Sequence, residues 1–364
     1  MRKQKNILIS PLNWGLGHAT RCIPIIETLL NKNENVLIAA DGAAAQLLKS
    51  EFPDLQHLKL SGFTIQLPEA GQSLPLKMAQ QLPNIFKGIW HEHKQLQAII
   101  KKYEIKGIIS DNRYGCYSKT CPSVFITHQL LVKMPQNLLL VEAPLYKLNK
   151  WFMQQYQQVW VPDFAHTNNL SGELSHPSKY PTPKSVKYIG TLSRFMLPTP
   201  PPPLQYDVLV LLSGAEPQRT YFEQLILVQI SAISNKKIII VRGITATNNR
   251  QQITPNLVII DHLTTTELQQ TILQSKVIVA RSGYSTLMDL AALGKAAILV
   301  PTPEQTEQEY LADRLMQQKC YFSMPQNQFN LEKALQTYTQ FIPPKIQPSK
   351  ILLENTITQW LETI

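Results

Sequence analysis

Short apolar runs alternate with longer stretches of helical apolar spacing along all 364 residues, and that alternation leaves few folds open. In the first half, residues 6–10, 35–41, 56–60, 105–111, 122–128, 158–163 and 185–190 read as strands. Residues 22–30, 42–51, 76–103 and 137–158 read as helices, and 62–75 as a loop. The second half repeats the scheme. Strands are expected at 207–213, 237–242, 256–261, 277–281 and 295–301. Helices are expected from 217, at 266–274, from 282, at 307–317 and in an amphipathic tail at 348–361. Near-continuous Val, Ile and Leu runs belong to strands covered on both faces, as in parallel sheets. The chain therefore predicts an α/β protein with two Rossmann-like, doubly wound domains facing across a cleft.

Between the halves stand prolines at 198 and 200–203. Such a run adopts polyproline II and joins neither core, so it reads as a stiff interdomain strut. The expected division is 1–197, a linker at 198–206, a second domain at 207–345, and a final helix at 346–364 packing back on the first domain.

The turn after the first strand is the most chemically suggestive stretch: Asn13-Trp14-Gly15-Leu16-Gly17-His18-Ala19-Thr20-Arg21. Gly15 and Gly17 permit a sharp turn and close approach of a ligand. His18 stands at the mouth of a helix, where the positive end of the dipole disfavours imidazolium. A neutral imidazole facing a cleft is suited to general-base work. The plainer alternative is a capping or packing histidine in an ordinary strand-to-helix turn. Asp111 and His128 end two later strands, and carboxyl ends of parallel strands are where such sheets bind ligands. His18, Asp111 and His128 can thus converge, with Asp111 orienting the base; the alternative is that Asp111-Asn112 merely forms a turn.

In the second half, Arg281-Ser282-Gly283-Tyr284-Ser285-Thr286 ends a strand and opens a helix, a ready anion site. Asp289, one turn on, can accept from a ribose diol, or simply complement the helix dipole as Ser282 caps it. No GxxxxGK[ST] loop is present. The dinucleotide pattern Gly15-x-Gly17-x-x-Thr20, with Asp41 closing the second strand, fails at its third glycine, and His18 fills the cradle.

Lys and Arg outnumber Asp and Glu by 35 to 25, a net charge of +10, which favours anionic partners. No basic stripe with interleaved aromatics marks nucleic-acid binding. Four cysteines without metal spacing, a start with no cleavage site, and no membrane-length apolar stretch lead to the expectation of a reduced, cytoplasmic chain. Helix 76–103 mixes Lys77, Lys87, Lys94, Lys101 and Lys102 with Met78, Leu82, Ile85, Phe86, Ile89 and Trp90. It reads either as a sheet cover or as a dock on an anionic membrane, at the inner face of the cell membrane.

Gly15-Leu16-Gly17-His18-Ala19-Thr20-Arg21 and Arg281 to Asp289, followed by Gly294, Pro301 and Gln308, resemble the GT-B glycosyltransferases of the family 28 type. That group includes the lipid II-forming N-acetylglucosaminyltransferase, and the chain looks like a divergent member. The resemblance implies inverting transfer of a sugar, an N-acetylhexosamine, from a UDP-sugar to an acceptor hydroxyl. It implies no metal and no cofactor beyond the donor substrate. The donor would sit on the second domain, and the acceptor, a lipid-linked or cell-envelope glycan, on the first. It implies His18 as base, and a phosphate loop at Ser213, Gly214 and Ala215. Arg281, Ser282, Gly283 and Arg194 would also contact the donor diphosphate, Asp289 the ribose and Gln308 the sugar. Departures are Asp289 for Glu, Glu309 for a second Gln, Ala312 for Asn, and Thr127-His128-Gln129 for His-Glu-Gln. Two alternatives stand beside transfer: a nucleotide-sugar hydrolase in which His18 activates water, and a non-catalytic nucleotide-sugar-binding protein.

Overall fold

The computed structural model describes residues 4–62, 74–135, 138–166, 168–198, 200–214, 216–247 and 249–364. It divides into two compact units: Met1–Trp14, His18–Leu192 and Ser349–Ile364 form one, and Gly15–Gly17 with Ser193–Pro348 the other.

The first unit carries a seven-stranded sheet in the order β3-β2-β1-β4-β5-β6-β7, parallel throughout. Its strands are β1 (Asn6–Pro11), β2 (Asn35–Ala40), β3 (Gln56–Lys59), β4 (Gly107–Asp111), β5 (Ser123–Ile126), β6 (Gln158–Val161) and β7 (Val186–Tyr188). The helices are α1 (Gly17–Asn31), α2 (Gly42–Glu51), α3 (Leu74–Lys102) and α4 (Leu139–Met153). Ile7, Leu8 and Ile9 of β1 are fully buried, as the centre of a two-sided sheet requires. The order reverses between β1 and β4, the topological switch point at which such sheets bind ligands.

The second unit has the order β10-β11-β9-β8-β12-β13-β14. Its elements are β8 (Tyr206–Leu211), α5 (Gln218–Ile230), β9 (Ile238–Val241), β10 (Arg250–Thr254), β11 (Leu257–Ile260), α6 (Thr265–Leu273), β12 (Ser275–Ala280), α7 (Tyr284–Leu293), β13 (Ala297–Leu299), α8 (Thr306–Gln317), β14 (Phe322–Ser323) and α9 (Leu331–Thr337). All pairs are parallel except β10 on β11. Here the switch point lies between β8 and β12.

Two departures from the sequence reading matter. The helix expected from residue 22 already begins at Gly17, so His18 and Arg21 share a helical turn rather than a loop. Strand β10 was not anticipated: all five of its residues are exposed, so it has no buried apolar pattern and is held by ladder bonds and a Gln252 Nε2 bond to Leu257 O. Most of the expected loop at 62–75 lies outside the described residues.

The chain ends in α10 (Lys350–Leu361), capped by Ser349 Oγ, which accepts from Leu352 N. Trp360 is fully buried in the first unit, edge-on to Trp160 with ring centroids 5.8 Å apart. Among the described residues, no helix is long and apolar enough to cross a membrane.

Candidate active site

At the switch point of the first sheet, β1 hands the chain to α1 through Gly15, whose φ of +72° lies in the left-handed region that glycine adopts without strain. His18 follows in the first turn of α1 and Asp111 closes β4, so chain order puts the two on opposite sides of the β1/β4 gap. His18 Nδ1 lies 2.8 Å from Asp111 Oδ1. The His18 side chain is 13% exposed, whereas Asp111 is sealed off. A carboxylate so buried needs a compensating charge. Arg21 supplies it, donating through Nε to Asp111 Oδ2 and through Nη2 to Oδ1. Arg21 Nη2 also lies 2.8 Å from His18 Nδ1, and Nη1 lies 3.3 Å from His128 Nδ1 beyond β5. Cys22 Sγ donates weakly to Asp111 Oδ2 at 3.8 Å.

Burial alone would raise the Asp111 pKa, but Arg21 and His18 outweigh it and hold the carboxyl at about 2. Burial lowers the His18 pKa, and Arg21 adds to the effect against the opposing pull of Asp111. His18 is therefore a neutral imidazole at pH 7. The sequence brought His18, Asp111 and His128 to one place correctly but passed over Arg21, which binds all three. The signal was present: on a helix, residue 21 stands directly over residue 18.

Arg113, two residues after Asp111, is wholly structural. Its Nε donates to Glu92 Oε1 at 2.6 Å and its Nη2 to Leu60 O at 3.0 Å, with both charged partners fully buried.

In the second unit, Ser213 and Gly214 follow β8, and Gly283 caps α7 with no side-chain capping bond. Gly214 takes φ +99°, and a Cβ built at either glycine meets nothing within 4 Å. Two glycine turns with open space thus flank the β8/β12 switch point, beside the positive end of α7. Ala215 lies outside the described residues.

The remaining candidates divide. Ser282 does not cap α7; its Oγ donates to Gln308 O at 2.8 Å. Arg281 is 1% exposed and spends its guanidinium on Val300 O, Pro301 O, Gln218 O and Gln326 Oε1, over the Phe222 ring. Burial pulls its pKa down to about 10. Arg281 ties the end of β12 to the segments at residues 218, 300–301 and 326. Gln308 accepts from Thr302 N at 2.9 Å and donates to Gln305 Oε1 at 2.6 Å, so both ends of its amide brace the loop before α8. Asp289 and Arg194 come together around Ser193, whose Oγ donates to Asp289 Oδ1 at 2.6 Å. Arg194 Nη1 donates to Thr265 Oγ1 at 2.8 Å, and its guanidinium lies 5.0 Å from the Phe195 ring centre. Burial pushes the Asp289 carboxyl up to about 6, against the pull of Arg194 and the Ser193 bond. Among the described residues, no three His, Cys, Asp or Glu side chains group as metal ligands.

A family model described as the glycosyltransferase family 28 C-terminal domain matches residues 209–359. The chain is 24% identical to the UDP-N-acetylglucosamine--N-acetylmuramyl-(pentapeptide) pyrophosphoryl-undecaprenol N-acetylglucosamine transferase of Pasteurella multocida (strain Pm70), across 96% of this chain and 93% of that protein. Among solved structures, the calicheamicin glycosyltransferase CalG4 superposes with a TM-score of 0.63 at 13% identity, covering 100% of both chains. Acinetobacter baumannii MurG gives 0.52 at 13% identity, covering 99% of this chain and 95% of that one. At such identities these structures speak for fold alone, and the fold is GT-B.

Proposed function

We propose that this chain, a divergent glycosyltransferase of the family 28 type, moves an N-acetylhexosamine from a UDP-sugar to an acceptor hydroxyl with inversion and without a metal. The observation that carries the reading is the neutral His18 imidazole hydrogen-bonded to the ionised Asp111 at the β1/β4 switch point. In this mechanism His18 takes the acceptor proton as the hydroxyl attacks the anomeric carbon. Asp111 stabilises the imidazolium that forms, as the acidic member of a base–orienter pair does. Charge developing on the leaving UDP falls to backbone N–H groups at Gly214 and Gly283, the N-terminus of α7, and Arg194. Asp289 accepts from the ribose diol, and Gln308 reaches the sugar once its amide leaves Thr302 and Gln305.

The Pasteurella relative, by its name a pyrophosphoryl-undecaprenol N-acetylglucosamine transferase, supports both the sugar and a lipid-linked acceptor. A second feature supports work at a membrane from the cytoplasmic side. Leu82, Phe86 and Trp90 recur every fourth residue on α3 and are exposed, as are Leu140 and Trp151 on α4. Lys87, Lys94 and Lys147 are exposed on the same two helices. Apolar residues with flanking lysines suit the interface of an anionic bilayer.

The test is His18→Ala assayed with the UDP-sugar that most raises the thermal stability of the protein. Transfer should fall about 10²–10⁴-fold, the usual contribution of a general base, while UDP affinity stays unchanged. Full activity in that variant refutes the assignment. Sugar release at full rate without any acceptor would instead establish hydrolysis.

A further inference from the structure

We propose that Ser193 is a positioning residue for the donor nucleotide: by holding Oδ1 of Asp289 it leaves one carboxylate oxygen open, so the site reads a single hydroxyl of the ribose rather than the pair. The inference deepens the reading of Asp289 as the ribose-binding acid and rests on it. The donor class it names is the nucleoside diphosphate sugar that keeps one particular pentose hydroxyl, whether or not the other is present.

The ground is a count of protons and acceptors. Ser193 and Asp289 both belong to the second unit, with Asp289 in the second turn of α7. Ser193 is buried, and its Oγ accepts from Phe195 N at 3.1 Å and donates to Asp289 Oδ1 at 2.6 Å. A hydroxyl has one proton to give, and a backbone N–H can only donate. The Ser193 proton therefore lies in the bond to the carboxylate, and the Phe195 amide fixes the oxygen that carries it. Among the described residues, no other hydrogen bond reaches the Asp289 carboxylate.

A vicinal diol spans a carboxylate with one hydroxyl on each oxygen. At Asp289 the second hydroxyl would meet an oxygen that Ser193 already uses, and a shared acceptor binds each of its donors more weakly. The Ser193 bond also acts on the charge. Burial raises the Asp289 pKa to about 6, while Arg194, the charged neighbour from the segment ahead of β8, and the Ser193 hydroxyl pull it down. Removing that hydroxyl frees Oδ1 and moves the titration of the carboxyl to higher pH.

The test is calorimetric binding of UDP, 2′-deoxy-UDP and 3′-deoxy-UDP to the whole chain at pH 8, where Asp289 is ionised. In the wild type one deoxy analogue should bind within about twofold of UDP and the other about tenfold more weakly, the loss of one bond to a charged acceptor. In Ser193→Ala both analogues should fall about tenfold behind UDP, and UDP binding should fade at a higher pH on acidification than in the wild type. Ser193→Thr, which keeps the hydroxyl, should keep the wild-type pattern. Both analogues about tenfold weaker in the wild type, or a Ser193→Ala protein with the wild-type pattern, overturns the proposal while leaving Asp289 on the ribose. Neither analogue weaker in the wild type refutes the ribose reading itself, and the proposal with it.

Discussion

At Asp289, burial creates a carboxyl that holds its proton to about pH 6, above the 3.8 of an ordinary aspartate. Between those values the folded chain binds a proton that the unfolded chain has released. Stability from this group is complete below pH 3.8 and lost as pH rises through about 6. Asp289→Asn should therefore melt higher than wild type at pH 8, with the gap narrowing as pH falls through about 6 and closed below pH 3.8. The amide is also the weaker acceptor for a diol, so UDP should bind less tightly. Asp111 has the opposite sign. Its pKa of about 2 lies below 3.8, so its contribution is present above the ordinary value and lost as pH falls through about 2. Asp111→Asn leaves the Arg21 guanidinium buried with its carboxylate partner gone, a change that costs about 3–5 kcal/mol. Thermal denaturation of that variant should show the loss at pH 7, together with loss of transfer.

Helix α10 belongs energetically to the first unit, since Trp360 is fully buried against Trp160 and covers Gly107, where any Cβ would come within 2.7 Å of the indole. Trp360→Ala should cost about 3–5 kcal/mol by chemical denaturation, the usual range for an excavated core tryptophan. Gly107→Ala should lower the melting temperature by crowding the same ring. How far each element could be read from the sequence follows from what holds it. Strands β1 and β9 are legible because each is a buried apolar run. Strand β10 is not, because Arg250, Gln251 and Gln252 are exposed and pair through their backbones and one Gln252 side-chain bond, none of which leaves an apolar pattern. The pairing of His18 with Asp111 was half legible. His18 and Asp111 follow from the rule that ligands gather at carboxyl ends of strands, but the start of α1 was placed at Cys22, which hid the turn linking His18 to Arg21. In the second unit, the role of Gln308 depends on its amide partners, Thr302 and Gln305, which no spacing rule reveals.

Across the whole molecule, the chain builds two sheets with the same kind of topological switch point, one marked by an imidazole–carboxylate pair and the other by two open glycine turns. If the donor binds the second unit, as proposed, UDP should slow hydrogen exchange in peptides spanning 211–218 and 281–289 and leave 105–111 unchanged. Protection confined to the first unit would reverse the assignment. The central claim is that an uncharged His18 accepts the proton of the attacking hydroxyl. The most direct measurement is the pH dependence of single-turnover sugar transfer in wild type and His18→Gln, both saturated with the stabilising UDP-sugar. The wild type should keep its rate down to a limb below the ordinary histidine pKa of 6.5, and His18→Gln should lose that limb with about 10²–10⁴ of the rate. A His18→Gln enzyme with wild-type rate and the same limb would contradict the account.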